Sequence, residues 1–285
     1  MNVRTGVGLK ALANWNDFSG QAVLVTGGTK GIGLATGLAF GRRGADVILT
    51  HKWNSTNVQA IYTKFREVGA PEPSIIEADA SRDEDAHAAL TTIRKKHSSI
   101  YAFISNVAVA PVIRTFADYS HRDFARCIDY SLWPIVSHVQ LIKKILGAYP
   151  KYVVAMSSEG SESYGVNYDF MAATKSALET LCRYMNLRLR DCGTRVNILR
   201  TRFTRTDSMR DMFGDEFGTF VDKYAPGLFT AADEVGEAAV GLCCGLMDAV
   251  GGQTITVDRG ANFFDNFSRL YDERDRLSGA LRNKS

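Results

Sequence analysis

From Ala22 onward, short apolar runs alternate with longer segments in which apolar residues recur every three or four positions. The runs Ala22–Val25, Val47–Thr50, Ser74–Asp79, Ile100–Ile104, Tyr152–Met156, Arg195–Leu199 and Gln253–Val257 predict seven buried strands. Between them, Leu34–Arg43, Val58–Val68, Ser81–Lys96, Phe124–Leu146, Phe170–Asp191 and Ala232–Met247 predict helices. Strands that are apolar on both faces and separated by helix-length segments predict an α/β fold. The expected form is a doubly wound sheet of about seven parallel strands in three α/β/α layers. Residues 1–19 lack a steady period and read as an N-terminal extension, 20–262 as a single domain, and 263–285 as a charged tail. Residues 200–229 break the strand–helix rhythm and read as a lid over a substrate.

Composition narrows the class. With 45% hydrophobic and 23% charged residues in 285, the chain can bury a core and is not disordered. The formal charge of +3 is uneven, because eight Arg and only two Asp fall between Leu181 and Arg210. That predicts a local basic surface, too limited to suggest a nucleic-acid partner. The five cysteines have no metal-like spacing, so no metal is expected, and they read as reduced thiols. No apolar run near the N-terminus is long enough for a membrane segment. These features together suggest a cytoplasmic protein.

The first strand leads into Thr26-Gly27-Gly28-Thr29-Lys30-Gly31-Ile32-Gly33 and then a helix. A glycine turn in this place allows a tight bend and brings backbone N–H groups at a helix N-terminus close to a pyrophosphate, the Rossmann-type arrangement for a dinucleotide. The second strand ends Thr50-His51-Lys52-Trp53-Asn54, without the carboxylate that would take the ribose hydroxyls of NAD. Lys30 and Lys52 place positive charge where a 2′-phosphate would lie, so NADPH is the expected cofactor. Asp79 ends the third strand and could accept from the adenine amino group.

Those stretches, with Asp79-Ala80, Ser105-Asn106-Val107-Ala108, Met156-Ser157-Ser158, Arg195-Val196-Asn197 and Gly252–Asp258, resemble the short-chain dehydrogenase/reductase family over residues 20–262. The usual family spacing puts Tyr four residues before the active-site Lys, but here that position is Met171. Tyr168 instead precedes Lys175 by seven, and this Tyr-x6-Lys segment is similar to the enoyl-thioester reductase branch. That branch reduces enoyl groups on acyl carrier protein or coenzyme A, including cyclic enoyl-CoA thioesters of bacterial secondary metabolism. The resemblance implies Tyr168, Lys175 and Ser158 as catalytic residues. It implies cofactor binding by Thr26, Gly27, Thr29, Lys30, Gly31, Ile32, Gly33, Lys52, Asp79, Ala80, Asn106 and Lys175. Tyr164, Arg202 and Phe203 are the expected substrate contacts, with Tyr164 either a wall or an auxiliary donor. A homodimer or homotetramer is implied, built on the helices Phe124–Leu146 and Phe170–Asp191.

The chemistry gives the spacing a reason. Hydride added at Cβ of an enoyl thioester leaves negative charge on the thioester oxygen, so the donor must sit away from the carbon that is reduced. A ketoreductase needs its donor at the reduced carbonyl. The resemblance implies that Lys175 holds the nicotinamide ribose and lowers the Tyr168 pKa by its charge. Three departures stand out: Ser131 where the family has Asn, Arg202 where a glycine is expected, and Arg259 in place of Gly. The expected function is NADPH-dependent reduction of an enoyl thioester. A ketoreductase of polyketide-like or cyclic carbonyls and a catalytically silent binding subunit remain as alternatives. Arg200, Arg202 and Arg205 read either as a solvated basic loop or as partners of an anion.

Overall fold

The structure is a computed structural model that describes residues 15–52, 57–224, 227–263, 268 and 271–275. Most of the expected N-terminal extension (1–14) and of the tail (264–267, 269–270 and 276–285) lies outside the described residues.

Seven parallel strands form one sheet: β1 Ala22–Val25, β2 Asp46–His51, β3 Ser74–Glu77, β4 Ala102–Ser105, β5 Tyr152–Ser158, β6 Arg195–Thr201 and β7 Thr254–Val257. Their order is β3-β2-β1-β4-β5-β6-β7. The helices are α1 Gly31–Gly41, α2 Val58–Glu67, α3 Asp83–Arg94, α4 His121–Ser131, α5 Trp133–Leu146, α6 Asp169–Leu189, α7 Asp207–Phe213, α8 Asp215–Tyr224 and α9 Ala232–Cys243. One apolar cluster joins Leu34 and Phe40 of α1, Phe65 of α2 and Val235 of α9 to one face of the sheet. A second joins Leu90 of α3, Ile135 and Val139 of α5 and Leu178 of α6 to the other. The doubly wound α/β/α architecture follows from strands that are apolar on both faces. No described helix is long and apolar enough to cross a membrane.

The strand order reverses at β1, which has β2 on one side and β4 on the other. Connections leave in opposite directions there and open a crevice above the carboxyl ends of the strands. The stretch 200–229 folds into α7 and α8 after β6 has run on to Thr201.

The long helix expected over Phe124–Leu146 is two helices. Leu132 separates them at φ −121°, ψ −59°, and Pro134 falls in the first turn of α5. A proline ring would collide with a carbonyl one turn earlier in a continuous helix, but is accepted in a first turn. The break leaves buried Ser131 at the end of α4, where its Oγ accepts from the Val109 N–H at 3.0 Å. Ser131 thus pins the loop after β4.

Candidate active site

A cleft of about 970 Å³ runs along the strand ends. Of the residues expected at the site, all but Thr26 and Gly33 line it. Those two lie directly behind the wall. Thr26 Oγ1 accepts from the Asn106 N–H at 3.1 Å, and Asn106 Nδ2 donates to the Thr26 and Gly27 carbonyls, both at 3.1 Å. Asn106 therefore braces the glycine turn. Gly27 and Gly31 adopt φ of +61° and +53°, which disfavour a side chain. At Gly33 a Cβ would lie 2.3 Å from the Gly27 carbonyl oxygen. Gly33→Ala is expected to force the turn open and weaken nicotinamide-dinucleotide binding about tenfold or more, read by fluorescence titration. Retained affinity would show that the turn does not hold the cofactor.

The cleft suits a dinucleotide. The opening amides of α1 have no helical acceptor, and Gly31 and Ile32 at that end face the cleft. Thr204, buried on the wall, keeps Oγ1 without a partner among the described residues. A buried hydroxyl in that state calls for a ligand or water. At the far end Lys52 Nζ lies 2.6 Å from Asp79 Oδ2 and also bonds the Tyr130 hydroxyl, which donates to the same carboxylate oxygen at 3.1 Å. Burial raises the Asp79 pKa, but hydrogen bonds from Lys52 and Ser81 outweigh it and hold the carboxyl below its ordinary value. Lys30 and Lys64 also line the cleft. Lys52 and Asp79, expected to meet different parts of a cofactor, thus also meet each other. Tyr130 and Lys64 were not foreseen.

At the opposite end, Tyr168 caps the N-terminus of α6 and its hydroxyl donates to Ser158 Oγ at 3.0 Å. Its ring fits because Gly160 and Gly165 present no side chain; a Cβ on Gly160 would come within 2.5 Å of the ring. Lys175, two turns along α6, is buried and donates to the Met156 carbonyl at 2.7 Å. Burial lowers its pKa to about 8, with Cys182, Glu179 and Cys127 pulling the other way. Lys175 was expected to depress the phenol of Tyr168, yet the shift is upward: burial raises it, against the Ser158 hydrogen bond. The lysine ammonium is held by a backbone carbonyl instead. Met171, at the usual tyrosine spacing, is buried on the wall. Tyr164 lines the cleft and is 87% exposed. Phe203 lines the cleft and packs on Phe213 and Phe217 of α7 and α8 and on Phe229.

The expected basic surface resolves largely into ion pairs. Arg200 is buried between Glu179, which it holds at 3.1 and 2.6 Å, and Glu162, at 2.8 and 2.6 Å. Glu179 Oε1 also accepts from Ser157 Oγ at 2.6 Å and Ser161 Oγ at 2.9 Å. Arg202 Nε lies 2.7 Å from Glu159 Oε2, Arg205 pairs with Asp222, and Arg210 lies 2.7 Å from Asp207. Except for Asp207, these acids lie outside the basic stretch or at its far side in the lid, so a local charge count overstates the surface charge.

A parallel doubly wound sheet whose strand-end crevice holds a glycine turn and a Ser–Tyr–Lys group defines a nucleotide-dependent oxidoreductase. The sequence profile described as enoyl-(acyl carrier protein) reductase matches residues 27–262. The chain belongs to the short-chain dehydrogenase/reductase family, in its enoyl reductase branch. It is 26% identical to the 1-cyclohexenylcarbonyl-CoA reductase of Streptomyces collinus over 69% of each chain. It is also 26% identical to the enoyl-[acyl-carrier-protein] reductase [NADH] FabI of Buchnera aphidicola, over 85% of this chain and 95% of that one. A dehydrogenase/reductase from Sinorhizobium meliloti superposes with a TM-score of 0.78 at 21% identity, covering 89% of this chain and all of the other.

Proposed function

We propose that the chain is an NADPH-dependent reductase of α,β-unsaturated thioesters, acting at Cβ, with Tyr168 stabilising the enolate. The observation that carries this reading is the 3.0 Å hydrogen bond from Tyr168 to Ser158 inside a cleft that also contains Lys175. A bound nicotinamide cofactor supplies the hydride. Ser158 orients the thioester carbonyl, and Tyr168, neutral because burial raises its pKa, donates to the oxygen on which charge develops. Lys175 holds the ribose hydroxyls. The similarity to a cyclohexenylcarbonyl-CoA reductase supports a CoA or carrier-protein thioester, in secondary metabolism or fatty-acid-like synthesis. The same Ser–Tyr pair would serve a ketoreductase, which makes carbonyl reduction the second reading. The test is NADPH oxidation with a straight-chain 2-enoyl-CoA, 1-cyclohexenylcarbonyl-CoA and a 3-oxoacyl-CoA. Turnover of the oxo substrate alone would replace the first reading with the second.

Lys30, Lys52 and Lys64 on the cleft lining support NADPH over NADH. The NADH-named relative makes the preference worth direct measurement. Lys52→Ala should weaken NADPH about 10-fold or more, the range for a hydrogen bond to a charged group, and leave NADH affinity nearly unchanged. Equal wild-type affinities for the two cofactors would contradict this role.

Residues 20–262 act as one cytoplasmic reductase domain in this reading, with 200–229 as its lid. Tyr184 and Leu187 on α6 are 63% and 60% exposed and extend a face with Ala173 and Ala177. That face supports assembly as a homodimer or homotetramer.

A further inference from the structure

Ser158 and Thr201 are register partners on β5 and β6, and the residues that follow them, Glu159 and Arg202, both reach the cleft wall. Arg202 Nε lies 2.7 Å from Glu159 Oε2, and Arg202 Nη1 donates to the Ala261 carbonyl at 2.6 Å. This satisfies only part of each group. Glu159 Oε1 accepts only a long 3.5 Å hydrogen bond from the Ser163 hydroxyl, and Arg202, whose guanidinium lies over the Phe203 ring, donates no hydrogen bond from Nη2 among the described residues. Burial raises the Glu159 pKa against the pull of Arg202, as for a carboxylate short of solvation.

The lining of the cleft also brings the apolar side chains of Val112, Met171, Phe203, Met212 and Phe213, beside the hydroxyls of Ser163 and Thr204. A hydrocarbon filling this space would strip water from the remaining N–H groups and lone pairs and return nothing. We propose that Glu159 and Arg202 form a specificity site for a hydroxyl or ketone oxygen carried on the acyl group of the substrate, an inference that rests on the reductase reading above. A hydroxyl donates to Glu159 Oε1 and accepts from Arg202 Nη2, while a ketone oxygen accepts from Arg202. A carboxylate is disfavoured, because Glu159 already neutralises the guanidinium and repels a second anion. Arg202, at a position where a small residue was expected, therefore narrows the choice of substrate and does not simply block the site.

The experiment compares 1-cyclohexenylcarbonyl-CoA with the same thioester hydroxylated at each saturated ring carbon in turn. Binding is measured by calorimetry on the NADP⁺-loaded protein, and turnover by NADPH oxidation. At least one hydroxylated ring should bind wild type about tenfold or more tightly than the plain ring, since a site built for a hydroxyl rejects the analogue without it. In Glu159→Leu/Arg202→Met, which replaces both partners with apolar groups, the preference should vanish or invert. Glu159→Gln keeps the shape and an accepting oxygen while removing the charge; it should reduce the preference and provides the comparison if the double variant does not fold. Equal wild-type affinities, no binding of any hydroxylated ring, or a preference unchanged in the variants would overturn the proposal. A binding preference without oxidation of NADPH by any ring would uphold the specificity site and defeat the reductase reading. Reduction of plain and hydroxylated rings with equal affinity would do the reverse.

Discussion

Tyr168→Phe is expected to lower turnover by about 10²-fold or more while NADPH binding persists, the loss typical of a positioned proton donor. The substitution keeps the ring, which packs against the space left by Gly160 and Gly165, and removes only the hydroxyl that meets Ser158 at 3.0 Å. Ser158→Ala should fall in the same direction by less, because the phenol could still reach the substrate oxygen. Met171→Tyr should not rescue Tyr168→Phe, since position 171 is buried one turn into α6 and lacks the glycine-made space beside Ser158. Near-wild-type turnover of Tyr168→Phe on whichever panel thioester the wild type reduces would remove the central residue of the mechanism.

Lys175 sets the pH dependence that goes with this. Its pKa of about 8 in the free protein means that its charge is present below that pH and is lost above it. Because kcat/KM reports ionisations of the free enzyme, it should decline as pH rises through about 8. The Tyr168 phenol, displaced upward, stays protonated across that window. The same shift bears on stability. An unfolded lysine keeps its proton up to its ordinary value of 10.5, so between about 8 and 10.5 the unfolded chain binds more protons and Lys175 becomes less destabilising as pH rises. Activity and this contribution to stability should therefore move in opposite directions above pH 8.

The strand–helix alternation, the glycine turn and the Tyr168–Lys175 spacing were legible because each is a local pattern imposed by backbone geometry. Pro134 was equally visible, but a helical period continuing on both sides of it hid the break at Leu132. What the sequence concealed was pairing across distance. Arg200 looks like the start of a basic loop until β6 sets it beside Ser157 and α6 brings Glu179 over it, 21 residues away. Thr204 is an ordinary residue until burial leaves its hydroxyl unmet. Glu179 did carry a signal: four residues after Lys175, it shares that lysine's helix face, and a carboxylate there needs a cation or a ring of donors.

Arg200→Met is expected to destabilise the protein by about 3–5 kcal/mol, the range for leaving one buried charge without its partner. Arg200 and Glu179 are 5% and 3% exposed, and their two-point contact is the main electrostatic compensation either receives. With Arg200 gone, the carboxylate keeps the Ser157 and Ser161 hydroxyls, but the nearest cation is Arg183 at 3.8 Å on the exposed side. Burial would then drive the Glu179 pKa up from its present depressed value, which the Arg200 and serine hydrogen bonds maintain against desolvation. Adding Glu179→Gln to Arg200→Met removes the stranded charge and retains an oxygen to accept from both serines. The double variant should therefore recover much of the loss, since a buried pair is often replaced at little net cost when both partners go. Urea denaturation of the two single variants and the double would measure the coupling. Additive losses would mean that the two residues act independently. The non-additive result would identify the pair as the clamp on the turn Glu159–Ser161, where Ser161 Oγ also lies 3.0 Å from the Ser158 carbonyl, and so as a support for Ser158 in its place against Tyr168.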